Sequence, residues 1–427
     1  SSAGDVNGDG LADLIVGARY ADTAPNNDAG KSYLVFGKTN NTAINLNSLG
    51  TGGFIINGEA ANDFSGYSVS SAGDVNGDGL ADLIVGARLA DTAPGNNAGK
   101  SYLVFGKADT TAINLSSLGT GGFIINGEAA FDQSGASVSS AGDVNGDGLA
   151  DLIVGARYAD TAPGNNAGKS YLVFGKTDNT AIDLSSLGSG GFIINGEAAS
   201  DFSGQSVSSA GDVNGDGLAD LIVGAPGADP ASVTNAGKSY IIFGGDFTSA
   251  VTQLGTAGVD NLTGTANNEA LVGAAGNDIL TDGGFSNILM YGGSGNDSIS
   301  ISNANFRRLD GGLGNDTLVL AGSGITLDLT GSSDNTKIAS FETIDLTGTG
   351  NNTLNLSYGA LLNLVEETRA TGGFNRLTIR GDSGDAVTAN LAGFGFSSSV
   401  VGSETIYTKG KLQLAVETDV TQTGIVI

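Results

Sequence analysis

The segment AGDVNGDGLADLIVGA stands at residues 3–18, 72–87, 141–156 and 210–225. Its leading aspartates, Asp5, Asp74, Asp143 and Asp212, are spaced 69 residues apart each time. Such a period confines the chain to architectures in which one supersecondary unit buries its apolar face against the next copy. Between the copies run AGKSYLVFGK, a Thr/Asn-rich stretch and GGFIINGEAA, and the fourth copy ends in the variant AGKSYIIFGG at 236–245. LIVGA, SYLVFG and GFIING are short, rich in β-branched and aromatic residues, and bounded by Gly, Asn and Asp, which predicts strands. No apolar spacing of i, i+3, i+4, i+7 marks a repeated helix. Several strands per unit predict one sheet per repeat, packed face to face as propeller blades. A linear solenoid is the competing arrangement, although its turns are usually much shorter than this period.

Each repeat carries the spacing D-x-N-x-D-G-x-x-D. The first copy supplies Asp5, Asn7, Asp9 and Asp13, and the second Asp74, Asn76, Asp78 and Asp82. The third supplies Asp143, Asn145, Asp147 and Asp151, and the fourth Asp212, Asn214, Asp216 and Asp220. Alternating oxygen-bearing side chains, a Gly for the sharp turn and a further carboxylate make a hard-oxygen set. The main-chain carbonyls of Leu11, Leu80, Leu149 and Leu218 fall at the seventh position. Such a set suits Ca²⁺, which takes 6–8 oxygens, and suits neither zinc nor copper. An EF-hand is excluded, because its twelfth position is Val16, Val85, Val154 and Val223 where a bidentate Glu belongs, and a strand follows instead of a helix. A dockerin-type reading fails on the same ground. Asp-Asn-Gly clusters also make plain turns. Three carboxylates within nine residues, four times over, nevertheless favour a cation between them.

Composition narrows the chemistry. The chain of 427 residues has no His and no Cys, so it has no Ser-His-Asp triad, no thiol nucleophile, no disulfide and no His or thiolate metal ligand. Its 45 acidic residues against 18 basic give a net charge of −27, which repels nucleic acid and anionic lipid. No apolar run approaches the ~18 residues of a membrane span, and no signal-peptide pattern opens the sequence. With 40% apolar residues the chain can build cores, and with 6% aromatics those cores rest on Val, Ile, Leu and Ala. The periodic Lys31, Lys100, Lys169 and Lys238 and the periodic Asp22, Asp91, Asp160 and Asp229 read as turn or solvated positions. Glu366 and Glu367 read as a solvated pair, and catalysis within this chain is not expected.

GDVNGDGLADLIVGA followed by AGKSYLVFG resembles the FG-GAP repeat of integrin α-subunit propellers and of many bacterial surface proteins. The resemblance covers residues 1–245 and implies a propeller, usually of seven blades, with Ca²⁺ in loops at one end of the blades. Its site carries over onto the aspartates and asparagines named above. Ser1 aligns with Ser70, Ser139 and Ser208, in mid-motif, so further chain is expected upstream.

After residue 245 the period shortens. GTAGVDNL, GTANNEAL, GAAGNDIL, GGFSNILM, GGSGNDSI and GGLGNDTL follow at steps of 9–10 residues, with one illegible step near Phe306. This pattern matches the nonapeptide G-G-x-G-x-D-x-U-x of a parallel β-roll, whose half-turns alternate sides. Asp260, Asp278, Asp297 and Asp316 are 18 or 19 residues apart and fall on one side, with Glu269 and Asn287 opposite. Ca²⁺ is expected mainly along the aspartate side; a metal-free Gly/Asn-rich solenoid is the alternative. The segment resembles the RTX repeats of type I-secreted bacterial proteins. The remainder reads as strands with a short helix near 359–368, and is similar to the C-terminal ends of large bacterial adhesins. An uncleaved secretion signal is expected toward Ile427.

The expected organisation is therefore all-β: FG-GAP-type propeller repeats at 1–245, an RTX-like β-roll at 246–320 and a β-rich C-terminal domain at 321–427. The expected function is that of a calcium-binding extracellular bacterial surface protein, structural or adhesive, able to self-assemble into a layer or filament. Its expected partners are other copies, cell-surface components, or a glycan or protein ligand. The alternative is a non-catalytic accessory region of a secreted hydrolase whose catalytic domain lies upstream.

Overall fold

The computed structural model describes every residue except 24–25, 39, 94, 163, 231–232, 332–336, 366–374, 392–393, 424 and 426–427. Glu366, Glu367 and Ile427 therefore lie outside the described residues. Two compact units are present. One comprises 1–144, 149–213 and 219–244, and the other 145–148, 214–218 and 245–427. The chain is predominantly β, and one α-helix, Tyr358–Val365, is described.

Each 69-residue repeat forms one antiparallel sheet. In the second repeat the strand order is Ser68–Gly73, Asp82–Ala87, Lys100–Val104 and Gly122–Asn126, each paired with the next. The last three are the expected strands. The first, SVSSAG, is too small and polar to announce itself, and it is recruited by pairing rather than by propensity. Its register slips between Ser71 and Gly73, where the backbone of Gly73 turns to φ +74°. A two-residue strand of the following repeat extends the outer edge in parallel: Ile113–Asn114 on Ile56–Asn57, and Ile182–Asp183 on Ile125–Asn126. The fourth sheet stops at three strands, Ser206–Gly211, Asp220–Ala225 and Lys238–Ile242, because the fourth repeat has no GFIIN segment.

These sheets are apolar on both faces, which is why DLIVGA is buried without alternation at Asp82–Ala87 and Asp151–Ala156. One face of each sheet packs on the facing side of the next. Ile15, Leu34, Phe54 and Ile56 of the first repeat meet Leu83, Val85, Tyr102 and Val104 of the second. Ile84, Leu103, Phe123 and Ile125 of the second meet Leu152, Val154, Tyr171 and Val173 of the third. Ile153 and Leu172 of the third meet Val207, Leu221 and Val223 of the fourth. Close approach needs glycine: a Cβ on Gly4, Gly73 or Gly142 would lie 2.5–2.6 Å from the Cβ of Ala81, Ala150 or Ala219 in the following repeat.

Lys100, Lys169 and Lys238 are interface residues rather than solvated ones. Lys100 Nζ pairs with Glu59 of the preceding repeat at 2.8 Å, and the Tyr102 hydroxyl donates to the same carboxylate. Lys169 and Tyr171 hold Glu128 at 2.7 and 2.6 Å, and Lys238 and Tyr240 hold Glu197 at 2.6 Å each. The periodic Asp91, Asp160 and Asp229 do close turns, accepting from the main-chain N–H of Asn97, Asn166 and Asn235.

In the second unit the chain alternates between parallel sheets. Asn261–Thr263, Ile279–Thr281, Ser298–Ile301 and Thr317–Leu320 stack in one, continuing through Thr343–Asp345, Asn375–Arg380 and Leu412–Glu417. Ala270–Val272, Leu289–Tyr291 and Arg308–Asp310 stack in another. The rungs bury apolar residues in one core, where Leu280, Ile299, Leu318 and Ile344 cluster with Leu271, Met290 and Leu309.

Equivalent positions in consecutive sheets should differ sharply in their contribution. Leu172→Ala removes a fully buried side chain and is expected to cost about 2–5 kcal/mol. Ile241→Ala, at the matching position of the last sheet and 42% exposed, is expected to stay below about 1 kcal/mol. Denaturant unfolding followed by circular dichroism measures both, and equal losses would contradict the packing scheme.

Candidate metal centre

The repeat loops are built around their first aspartate. Asp5 Oδ1 accepts the main-chain N–H of Gly8 at 2.8 Å and of Asp9 at 3.1 Å, and its Oδ2 accepts that of Gly10 at 2.8 Å. Gly8 and Gly10 hold φ of +74° and +82°, which turns three successive amides inward. Asn7 Oδ1 accepts from Asp9 N at 2.9 Å while its amide donates to Asp9 Oδ2 at 3.0 Å, and Asp9 Oδ1 accepts from Leu11 N at 2.9 Å. The second loop repeats this with Asp74, Asn76, Asp78 and Leu80. In the third and fourth, Asn145 donates to Asp147 at 2.9 Å and Asn214 to Asp216 at 2.7 Å.

The last aspartate of the motif is fully buried and has a structural task that its spacing does not reveal. Asp13 takes Val6 N on one oxygen at 2.9 Å and Gly37 N on the other at 2.7 Å, tying the loop to the end of strand Lys31–Val35. Asp82, Asp151 and Asp220 repeat the clasp. Burial pushes the Asp13 carboxyl up to about 6 and that of Asp82 well above its ordinary value. Among the described residues no three carboxylates converge as a ready-made cage.

The second unit holds a different arrangement. Asp260 N donates to Asp278 Oδ1 at 2.8 Å, Asp278 N to Asp297 Oδ1 at 2.7 Å, and Asp297 N to Asp316 Oδ1 at 2.7 Å. Asp316 N then donates to Glu342 Oε2 at 2.5 Å. One oxygen of every acid is thus fixed by the rung beneath. The other oxygen of Asp278, Asp297, Asp316 and Glu342 is buried without a partner, and the three aspartates are no more than 2% exposed. Burial pushes Asp297 up to about 6 and Asp316 up to about 8, with Glu342 and Asp297 adding repulsion at Asp316. A buried row of like charges with free lone pairs has two resolutions, protonation or a cation. The donor set is hard oxygen throughout and fits Ca²⁺. Asp260, at the end of the row, instead turns Oδ2 to Thr256 N at 2.6 Å and its hydroxyl at 2.8 Å. Glu269 and Asn287, opposite, bond to Thr265 and Asn268 and form no such row.

The row runs past the glycine-rich nonapeptides. Glu342 continues the row, and a second ladder of the same kind stands on a separate parallel sheet, Thr326–Leu329, Thr353–Leu356 and Ala386–Ala389, where Asn352 Oδ1 accepts from Ile325 N and Asp385 Oδ1 from Asn352 N, both at 2.8 Å. The signal for these residues is an acid or amide just before a strand that alternates apolar and polar: Asp316-Thr-Leu-Val-Leu, Glu342-Thr-Ile-Asp-Leu and Asn352-Thr-Leu-Asn-Leu. No Gly-Gly precedes Glu342 or Asn352.

Comparison with known proteins addresses the first unit. The FG-GAP repeat family matches residues 1–35, 65–104, 134–173 and 203–242. Four segments of the chain match the FG-GAP repeat, one in each 69-residue unit. Integrin alpha-PS5 of Drosophila melanogaster is 31% identical over 216 residues, covering 49% of this chain and 19% of that protein. Integrin alpha-V of Gallus gallus is 31% identical over 243 residues, covering 55% and 20%, and integrin alpha-IIb of Mus musculus is 29% identical over 185, covering 42% and 17%. The chain thus spans about a fifth or less of the length of these relatives. The matched segments contain three strands of each sheet and the aspartate loop.

The acid row makes a pH prediction. Folded Asp316 and Asp297 hold protons to about 8 and about 6, whereas unfolded they release them near 3.8. Between those values the folded chain binds more protons, so without divalent cation its stability falls as pH rises from about 4 to about 8. Thermal melts in EGTA across that range, with Asp316→Asn flattening the upper part of the fall, test this; a stability that climbs with pH would refute it.

Proposed function

We propose that this chain is part of a calcium-binding extracellular surface protein with a structural and adhesive role and no catalytic one. The observation that carries the reading is the row of buried, unpartnered oxygens on Asp278, Asp297, Asp316 and Glu342. Ca²⁺ would supply the positive charge that this row and the four aspartate loops lack. Along the row, Asp278, Asp297 and Asp316 present one oxygen each while the other stays pinned to the rung below. In the repeats, Asp5, Asn7, Asp9, Asp13 and the Leu11 carbonyl are the proposed ligands, as are Asp74, Asn76, Asp78, Asp82 and Leu80, with the matching residues of the third and fourth loops. The four face-packed antiparallel sheets support a reading of residues 1–245 as propeller blades. The parallel stack at 246–320 supports an RTX-like β-roll, and 321–427 is read as a β-rich C-terminal domain with a secretion signal.

The relatives are integrin alpha chains, which supports adhesion and a place outside the cell. Among the described residues no helix is long and apolar enough to cross a membrane. Extracellular calcium modules bind at ~10⁻⁴–10⁻³ M, so sites of this kind stay empty in a cytosol and fill after export. Type I secretion, with folding coupled to calcium, is the proposed route. Proposed partners are other copies of the chain and cell-surface proteins or glycans.

Far-UV circular dichroism during calcium titration after EGTA treatment tests the reading. The β signal and thermal stability are expected to rise near millimolar Ca²⁺, and Asp297→Asn is expected to weaken the transition of the second unit. Equal folding and stability in EGTA and in calcium would sink the metal assignment.

A further inference from the structure

The first two joints between consecutive sheets hold more carboxylate than ammonium. The crossover into the second sheet, GEAAND, brings Glu59 and Asp63 to one joint, and the crossover into the third, GEAAFD, brings Glu128 and Asp132 to the other. One lysine meets each pair and is committed to the glutamate. Lys100 Nζ bonds both oxygens of Glu59, at 3.0 and 2.8 Å, where the Tyr102 hydroxyl also donates. Lys169 Nζ bonds both oxygens of Glu128, at 2.7 and 2.8 Å, and the Tyr171 hydroxyl donates there at 2.6 Å. The aspartates are left without a cation of their own: Asp63 is 7% and Asp132 is 6% exposed, and neither forms an ion pair among the described residues. Facing Asp63 are Glu59 and Asp91, with Lys100 opposing them and Tyr102 beside it. Facing Asp132 are Glu128 and Asp160, with Lys169 opposing them and Tyr171 beside it. Burial, and then the neighbouring glutamate, push both aspartates up to about 6. Each also reaches across its joint through the main chain, its carbonyl oxygen accepting from Leu89 N or Tyr158 N in the next repeat, both at 3.4 Å.

We propose that Asp63 and Asp132 are proton gates for these two joints, which makes the sheet series tighter in mildly acidic surroundings than at neutral pH. With the aspartate protonated, the glutamate and the lysine face each other as a matched pair. With it ionised, a second negative charge is shut into the joint with no cation to meet it, which favours opening to water. The sign follows from where the proton is held. A closed joint keeps it to about 6, whereas an open, solvated one releases it near 3.8, so the closed state loses this advantage as pH rises from about 4 through about 6. The gate uses none of the proposed calcium ligands, and it acts whether those sites are filled or empty.

Hydrogen–deuterium exchange of the full chain in calcium tests the gate, read at the peptides that carry the Leu89 and Tyr158 amides and corrected for the intrinsic effect of pH on exchange. Protection there is expected to fall about tenfold between about pH 5 and about pH 7.5, the factor that a proton released near 6 imposes. Asp63→Asn keeps the shape and removes the charge; it is expected to abolish the fall at Leu89 and to leave the fall at Tyr158. Asp132→Asn is expected to do the reverse, with circular dichroism as the control for folding. Equal protection of the wild type at the two pH values overturns the proposal without recourse to a variant. So does a fall at Leu89 that survives Asp63→Asn, or one at Tyr158 that survives Asp132→Asn. A chain that responds to calcium but shows no such fall fails this inference alone, and one that shows the fall but is indifferent to calcium fails the metal reading alone.

Discussion

A sheet with two apolar faces cannot stand in water by itself, and the first unit is organised around that constraint. DLIVGA and KSYLV present Leu, Val and Tyr on one side and Ile and Leu on the other, so each sheet needs a neighbour on both sides. The repeat answers with a copy of itself. Gly4, Gly73 and Gly142 clear room for the alanine of the following copy, and the Glu59, Glu128 and Glu197 carboxylates latch onto the Lys and Tyr that follow. Packing of this kind adds nearest-neighbour energies down the series.

The second organising feature is where negative charge is stored. In the aspartate loops it sits on oxygens that main-chain amides already hold, and Asp13 and its three equivalents spend both oxygens on tying a loop to a strand end. In the second unit Asp278, Asp297, Asp316 and Glu342 have only one oxygen held, and the other is buried without a partner. Both arrangements cost solvation, but the second leaves lone pairs that amides do not fill. That contrast makes the acid row the stronger cation candidate, although the loops have the more recognisable motif.

The strands LIVGA, SYLVFG and GFIING are legible because β-branched and aromatic residues cluster between Gly and Asn. SVSSAG is not, since its Ser and Ala residues carry no hydrophobic pattern and its pairing partner specifies it. Asp278, Asp297 and Asp316 are legible from the spacing of a rung. Glu342, and Asn352 and Asp385 on a separate sheet, are hidden because the spacing between successive rungs lengthens after Leu320, which breaks the count. The lysines at 100 and 169 look solvated in the sequence because their carboxylate partners lie 41 residues upstream, in the preceding repeat.

The sequence by itself determined the period, the strand segments, the four acidic loops and the absence of His and Cys, since these are local or compositional properties. Only the tertiary structure decided which aspartates are struts, which acids share a buried row and which lysines are latches. The reason is physical: burial and partnership are set by residues far apart in the chain, and identical repeats acquire different environments from what stands beside them. Glu59 and Lys100 stand in different repeats, 41 residues apart, and meet only because one sheet packs on the next.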